Sequence, residues 1–93
     1  MRHSLVVGGA GGIGAAVCEA LAEAGHQVSI ADRNTEAAET LATALAAKGH
    51  TVHGEGCDAT SAAEVEALRE HIEAARGPVD ILVTMAGVIR NDL

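Results

Sequence analysis

Leu5-Val6-Val7-Gly8-Gly9-Ala10-Gly11-Gly12-Ile13-Gly14 is the stretch on which the fold turns. Ser4 to Val7 is a short run ending in glycines, the pattern of a buried parallel strand. From Ile13 the period changes: Ile13, Val17, Ala20, Leu21 and Ala24 recur at helical spacing, and Gly25 stops the helix. Five glycines in seven residues therefore sit between a strand and a helix. Glycine suits a tight turn and lets another group come close to the backbone, because no Cβ stands in the way. The helix that follows offers exposed amides and a partial positive charge at its start. In this position the glycines match the fingerprint for the pyrophosphate of a dinucleotide. The phosphate loop of NTPases requires Gly-Lys-Ser/Thr, whereas this loop continues Gly12-Ile13-Gly14-Ala15, so that reading is discarded.

Downstream the alternation of elements repeats. Gln27 to Ala31 reads as a second strand carrying Val28 and Ile30. Asn34 or Thr35 caps a second helix, with Glu36 at its positive end, an apolar stripe of Ala38, Leu41, Ala42 and Leu45, Lys48 near its negative end and Gly49 as its stop. Thr51 to Glu55 is a weaker strand. Ser61-Ala62-Ala63-Glu64 matches a capping box, and Val65, Leu68, Ile72 and Ala75 form the third helix's stripe before Gly77-Pro78. Val79 to Thr84 is a fourth strand, apolar almost throughout and expected to be covered on both faces.

The order βαβαβαβ implies parallel strands joined by right-handed crossovers. The expected fold is a Rossmann-type, doubly wound α/β sheet with strand order 3-2-1-4. The first two helices fall on one face and the third on the other. The fourth strand becomes an edge, and an apolar edge at Ile81-Leu82-Val83 is an aggregation hazard. Residues 1–93 are accordingly expected to form the amino-terminal part of one NAD(P)-binding domain. Alone, such a piece is expected to self-associate and to bind NAD weakly or not at all.

Asp32 lies about twenty residues beyond the glycines, at the tip of the second strand, where a carboxylate accepts from an adenosine ribose. Its charge repels a 2′-phosphate and favours NAD over NADP. Arg33 beside it can hold that phosphate, so NADP stays open.

Composition narrows the classes. The 93 residues carry a formal net charge of −7. Lys48 is the only lysine and the five arginines are scattered, which disfavours nucleic acid and anionic membrane as partners. No apolar run approaches the roughly 18 residues of a membrane span, and no secretory signal is read at the start. Cys18 and Cys57 are far apart and suit buried thiols of a cytoplasmic protein. There is no Phe, Trp or Tyr, so a tyrosine acid is not supplied by these residues. His3, His26, His50, His53 and His71 read as strand-end and helix-surface residues, and no metal site is expected, since zinc needs three or four converging ligands. Glu64, Glu66, Glu70 and Glu73 read as a solvated helix face.

The chain resembles the short-chain dehydrogenase/reductase family. Gly8-x-x-x-Gly12-x-Gly14 matches its TGxxxGxG signature, with Val7 in place of Thr. Asp58, in Cys57-Asp58-Ala59-Thr60, is similar to its adenine-contacting aspartate. Val79 to Gly87 is similar to its fourth-strand segment ending NNAG, with Thr84 and Met85 in place of the asparagines. The resemblance implies cofactor contacts at Gly8, Ala10, Gly12, Ile13, Gly14, Asp32, Arg33, Asp58, Ala59, Ala86 and Gly87. It implies NAD, or alternatively NADP, as cofactor, a carbonyl or alcohol substrate, and a homo-oligomer, dimer or tetramer, for the complete enzyme. The family's catalytic Ser and Tyr-x-x-x-Lys have no counterpart here, so no catalytic residue is assigned and the chain alone is expected to be inactive. The tail Ala86 to Leu93 is similar to the 3-oxoacyl-thioester reductase branch, with Asn91 and Asp92 transposed. Two rivals remain: a non-catalytic nucleotide-binding module, and a SAM-dependent methyltransferase, whose loop usually follows an acid where this chain has Leu5-Val6-Val7.

Overall fold

The computed structural model describes residues 1–8, 10–58 and 60–85. Four strands and three helices alternate: β1 (His3–Val7), α1 (Gly12–Glu23), β2 (Gln27–Asp32), α2 (Thr35–Ala46), β3 (Val52–Gly56), α3 (Ala62–Arg76) and β4 (Ile81–Thr84). The strands form one parallel sheet in the order β3-β2-β1-β4. The expected topology is the observed one, and it is Rossmann-like. β1 is central, and all five of its residues are buried.

Two cores lie on opposite faces. Val6, Val28, Ile30 and Val52 pack with Cys18 and Ala22 of α1 and Ala38, Ala42 and Leu45 of α2. Leu5, Val7 and Ala31 pack with Cys57 and Ile72 of α3. Alternation along each strand sends successive side chains to the two faces, which places α1 and α2 together and α3 opposite.

The register at α1 differs from expectation. Its buried line is Gly14, Cys18 and Ala22, while Ile13 is 74% exposed and Ala20 and Ala24 are exposed. The line has the spacing i, i+4, i+8 that begins at Gly14. A residue without a side chain can lie against the sheet where a helix begins, and the buried line runs from Gly14 in place of the bulkier Ile13.

Other departures are local. Ser61 accepts from the Glu64 amide at 3.2 Å, as in a capping box. The Glu64 carboxylate, however, reaches past Ser61 to the Asp58 amide at 3.2 Å, because the Ser61 amide already donates to the Asp58 carbonyl. Lys48 lies beyond the end of α2 and pairs with Glu19 of α1 at 2.8 Å. Ala75 is exposed, leaving Ile72 as the one fully buried residue of α3. The residues of β4 are all half-buried rather than covered on both faces, since among the described residues β4 pairs only with β1.

His3 is the exception among the histidines: it is 3% exposed. Its Nδ1 lies 3.1 Å from the Gly77 carbonyl, which only accepts, so Nδ1 donates and Nε2 accepts from the Ser29 hydroxyl at 2.8 Å. Arg76 donates to the same hydroxyl at 3.1 Å and pairs with Glu55. This network ties the end of α3 to β1, β2 and β3.

Candidate functional site

Strand pairing brings the chemistry to one edge. Val7 lies opposite Ala31 and Thr84, and Asp32 lies opposite Gly56. The carboxyl ends of β1, β2, β3 and β4 therefore lie side by side at one edge of the sheet. In open α/β sheets ligands bind there, where the strand order reverses. Here that point is β1, with β2 on one side and β4 on the other.

The first segment turns at Gly8, whose φ of +82° is open to glycine and strained for most other residues. Its amide donates to the Ala31 carbonyl at 2.6 Å. The chain then enters α1 through Gly11, an extended N-cap with φ −76° and ψ 173°. The first intrahelical bond is from Ala15 to the Gly11 carbonyl, at 2.6 Å, so the amides of Gly12, Ile13 and Gly14 precede it.

The three helix starts differ in chemistry. Asn34 caps α2 by accepting from the Ala37 amide, and Glu36 lies in the first turn. Ser61 caps α3, with Glu64 in the first turn. α1 has no side-chain cap and no acid in its first turn. Among the described residues, a Cβ placed on Gly11 or Gly12 would meet nothing within 4 Å beyond its own chain neighbours and the backbone of α1. Neither glycine is required by packing or by a positive φ. What they keep clear is the space over the helix start, where a Cβ would stand between the backbone and an anion. This is the cradle a diphosphate needs, and the residues present fit it.

Asp32 closes one side. One carboxylate oxygen accepts from the Ala10 amide at 3.1 Å and the other from the Asn34 amide at 2.9 Å. From these two amide partners a cleft of about 440 Å³ runs along α2, lined by Ala10, Asn34, Glu36, Thr40, Leu41 and Ala44. Arg33 turns away toward Asp58, with 3.5 Å between guanidinium and carboxylate, and is 79% exposed. Asp58 is held below the usual carboxylate range first by the Thr60 hydroxyl at 2.6 Å, then by the Thr60 amide at 2.9 Å and by Arg33. Cys57 beside it is 6% exposed, and burial, then Glu64 and Asp58, push its thiol up. A raised thiol is a poor nucleophile at neutral pH, in keeping with packing as its role.

The structure thus gathers Gly8, Ala10, Gly12, Ile13, Gly14, Asp32, Arg33 and Asp58 at one edge. Ala59, Ala86 and Gly87 lie outside the described residues, as does the tail to Leu93. Sequence reasoning missed the contact from Asp32 to Ala10. Its only signal was an acid at the tip of the strand adjoining the glycine loop. Among the described residues no group of three or more His, Cys, Asp or Glu is placed to hold a metal ion. Among them too, no helix is long and apolar enough to cross a membrane.

Comparison with known proteins agrees with this geometry. The chain is 42% identical over 89 residues to D-threitol dehydrogenase of Mycolicibacterium smegmatis, covering 96% of this chain and 34% of that protein. It is 38% identical over 92 residues to carbonyl reductase family member 4 of Danio rerio, covering 99% of this chain and 38% of that one. A crystal structure of actinorhodin polyketide ketoreductase with NADPH superposes with a TM-score of 0.85 at 34% identity, covering 94% of this chain and 33% of that chain. The chain thus spans about a third of the length of these relatives. The family model described as short chain dehydrogenase matches residues 2–93, and with its sheet order and glycine loop this chain belongs to that oxidoreductase family.

Proposed function

We propose that this chain is the cofactor-binding part of an NAD(P)-dependent oxidoreductase that interconverts a carbonyl and an alcohol. The observation that carries the reading is the start of α1: an uncapped, acid-free helix terminus with open space above Gly11 and Gly12. Amides of Gly12, Ile13 and Gly14 hold the diphosphate, with the helix dipole favouring its charge. Asp32 accepts from the adenosine ribose, and Asp58, with Ala59, borders the adenine. Ala86 and Gly87 are assigned to the cofactor's far side on the family resemblance. The bound dinucleotide supplies or takes the hydride. The chain's own task is to fix the dinucleotide against the sheet edge.

NAD is preferred over NADP in this reading. An ionised carboxylate offers about four acceptor sites, and two on Asp32 are occupied by the Ala10 and Asn34 amides. Among the described residues nothing else donates to it, and the two sites left suit the two hydroxyls of a ribose and not a 2′-phosphate that has no proton to donate. Glu36 adds a second negative charge beside the same cleft. Arg33, the group that would welcome a 2′-phosphate, is engaged with Asp58.

Proton transfer is assigned to no residue between Met1 and Leu93, because the family's Ser and Tyr-x-x-x-Lys are not among them. The substrate is a small carbonyl compound or its alcohol. Relatives named for threitol, for a carbonyl and for a polyketide support that class. The tail's likeness to 3-oxoacyl-thioester reductases makes acetoacetyl-CoA the first substrate to assay. A cytoplasmic homo-oligomer completes the proposal. The deciding experiment is Gly12→Ala in the complete protein. The fold should be unchanged and NAD affinity should fall at least tenfold, about 1.4 kcal/mol. Unchanged affinity would remove the diphosphate from α1.

A further inference from the structure

We propose that Asp32 is also a positioning residue, a strut that sets the glycine loop in its receiving shape before any ligand arrives. This rests on the cofactor reading above but concerns a different act of the same side chain. The two oxygens of Asp32 point to two different loops. One accepts from Ala10, inside the loop after β1, at 3.1 Å. The other accepts from Asn34, the cap of α2, at 2.9 Å. The carboxylate therefore bridges the first and second strand-to-helix connections across the carboxyl edge of the sheet. The backbone adds a parallel tie, from the Gly8 amide to the Ala31 carbonyl at 2.6 Å.

The loop needs such a tie. Gly8, Gly11 and Gly12 carry no side chains, so nothing of their own packs to hold them, and glycine has the largest backbone freedom to lose. α1 begins at Gly12 with no side-chain cap that would fix its entry angle. The Asp32 bond to Ala10 fixes the residue directly before that N-cap. Hydrogen bonds to an ionised acceptor are stronger than neutral ones, and ordering a loop in advance raises affinity by lowering the entropy lost on binding. Asp32 thus serves the diphosphate at a distance while it meets the ribose directly.

The test uses Asp32→Asn and Asp32→Ala in the complete protein, with inorganic pyrophosphate as probe because it has no ribose. Asn keeps the size of the side chain but only one acceptor oxygen, so it can hold only one of the two amides. Amide exchange is followed by NMR without ligand, and the amides of Val28 and Ile30 report whether the sheet is intact. With that protection retained, exchange at Ala10 should rise about tenfold in the alanine variant. Pyrophosphate should bind about tenfold more weakly to it, with the asparagine variant intermediate. Unchanged Ala10 exchange together with unchanged pyrophosphate affinity would overturn the strut, even where NAD binding falls, since Asp32 would then be a ribose acceptor alone. If exchange rises as expected while the wild-type protein binds neither pyrophosphate nor NAD, the strut stands and the cofactor reading falls.

Discussion

The guanidinium of Arg33 lies 3.5 Å from the carboxylate of Asp58, joining the segments that follow β2 and β3 at the carboxyl edge of the sheet. The pair is solvent-exposed, and ion pairs of this kind contribute little to stability. The stronger influence on Asp58 is Thr60, whose hydroxyl and amide converge on one oxygen. Thr60→Val should therefore raise the Asp58 carboxyl toward its ordinary value of 3.8 by more than Arg33→Ala does, as read from carboxyl chemical shifts during an acid titration. The sign for stability follows from linkage. A carboxyl held low in the fold contributes stability above its ordinary value, and that contribution is lost as pH falls through the lowered one. Acid unfolding of Thr60→Val should accordingly show a weaker dependence on pH below about 3.8 than the wild type. An identical acid limb would remove Thr60 from the account.

Cofactor choice gives a second prediction. Asp32→Ala removes the charge that opposes a 2′-phosphate and leaves Arg33 in place. In the complete protein the ratio of NAD to NADP affinity should fall by about tenfold, some 1.4 kcal/mol. Isothermal titration with each cofactor measures it. A fixed ratio would show that Asp32 does not face the ribose.

Two sets of glycines should respond in opposite ways. A Cβ on Gly54 of β3 would stand 2.6 Å from the Ala38 carbonyl oxygen, 2.7 Å from its carbon and 2.8 Å from the Glu39 nitrogen. These are backbone atoms of α2, so the helix must move off the strand. Gly54→Ala should cost about 1–3 kcal/mol, the usual range for overpacking. Gly11→Ala, in open space, should leave stability within about 0.5 kcal/mol. Urea unfolding of the two variants compares them directly. Equal stabilities would mean that α2 does not approach β3 as closely as the structure has it.

The sheet was legible because its signals are local and agree with one another. Val28 and Ile30 alternate, Ala38, Ala42 and Leu45 repeat at helical spacing, and Gly25 and Gly49 both take the positive φ of a helix stop. Strand order followed from chirality and a single reversal. The rotation of α1 was not legible, because hydrophobicity favours Ile13 while the buried line begins at Gly14, which has no side chain to count. The site was half legible. Glycines and an acid at about the right spacing marked the site proposed for the cofactor. The bonds from Asp32 to Ala10 and from Glu64 to Asp58 were hidden, since each joins a side chain to a backbone amide whose position only the fold determines. His3 stands at the start of a strand, as expected, but its cover by Ser29 and the end of α3 was hidden for the same reason.

The two thiols lie in cores on opposite faces of the sheet, Cys18 against α2 and Cys57 against α3, and they form no disulfide. Burial pushes the Cys18 thiol from 9.0 up to about 11. In the unfolded chain it ionises near the ordinary value, so between 9.0 and about 11 the unfolded state binds fewer protons than the fold. Stability therefore holds below pH 9.0 and falls as pH rises through that window, by about 2–3 kcal/mol once both states are ionised. Cys18→Ala removes this titration. It opens a small cavity in the α1 face, so it should be less stable than the wild type at pH 7. Its alkaline limb should nevertheless be flatter between pH 9 and 11. Thiol reagents give an independent reading: at pH 8 neither cysteine should react until the protein unfolds, because the thiolate is the reacting form. Rapid labelling of Cys18 in the native state would mean that α1 does not seal the core it is packed upon.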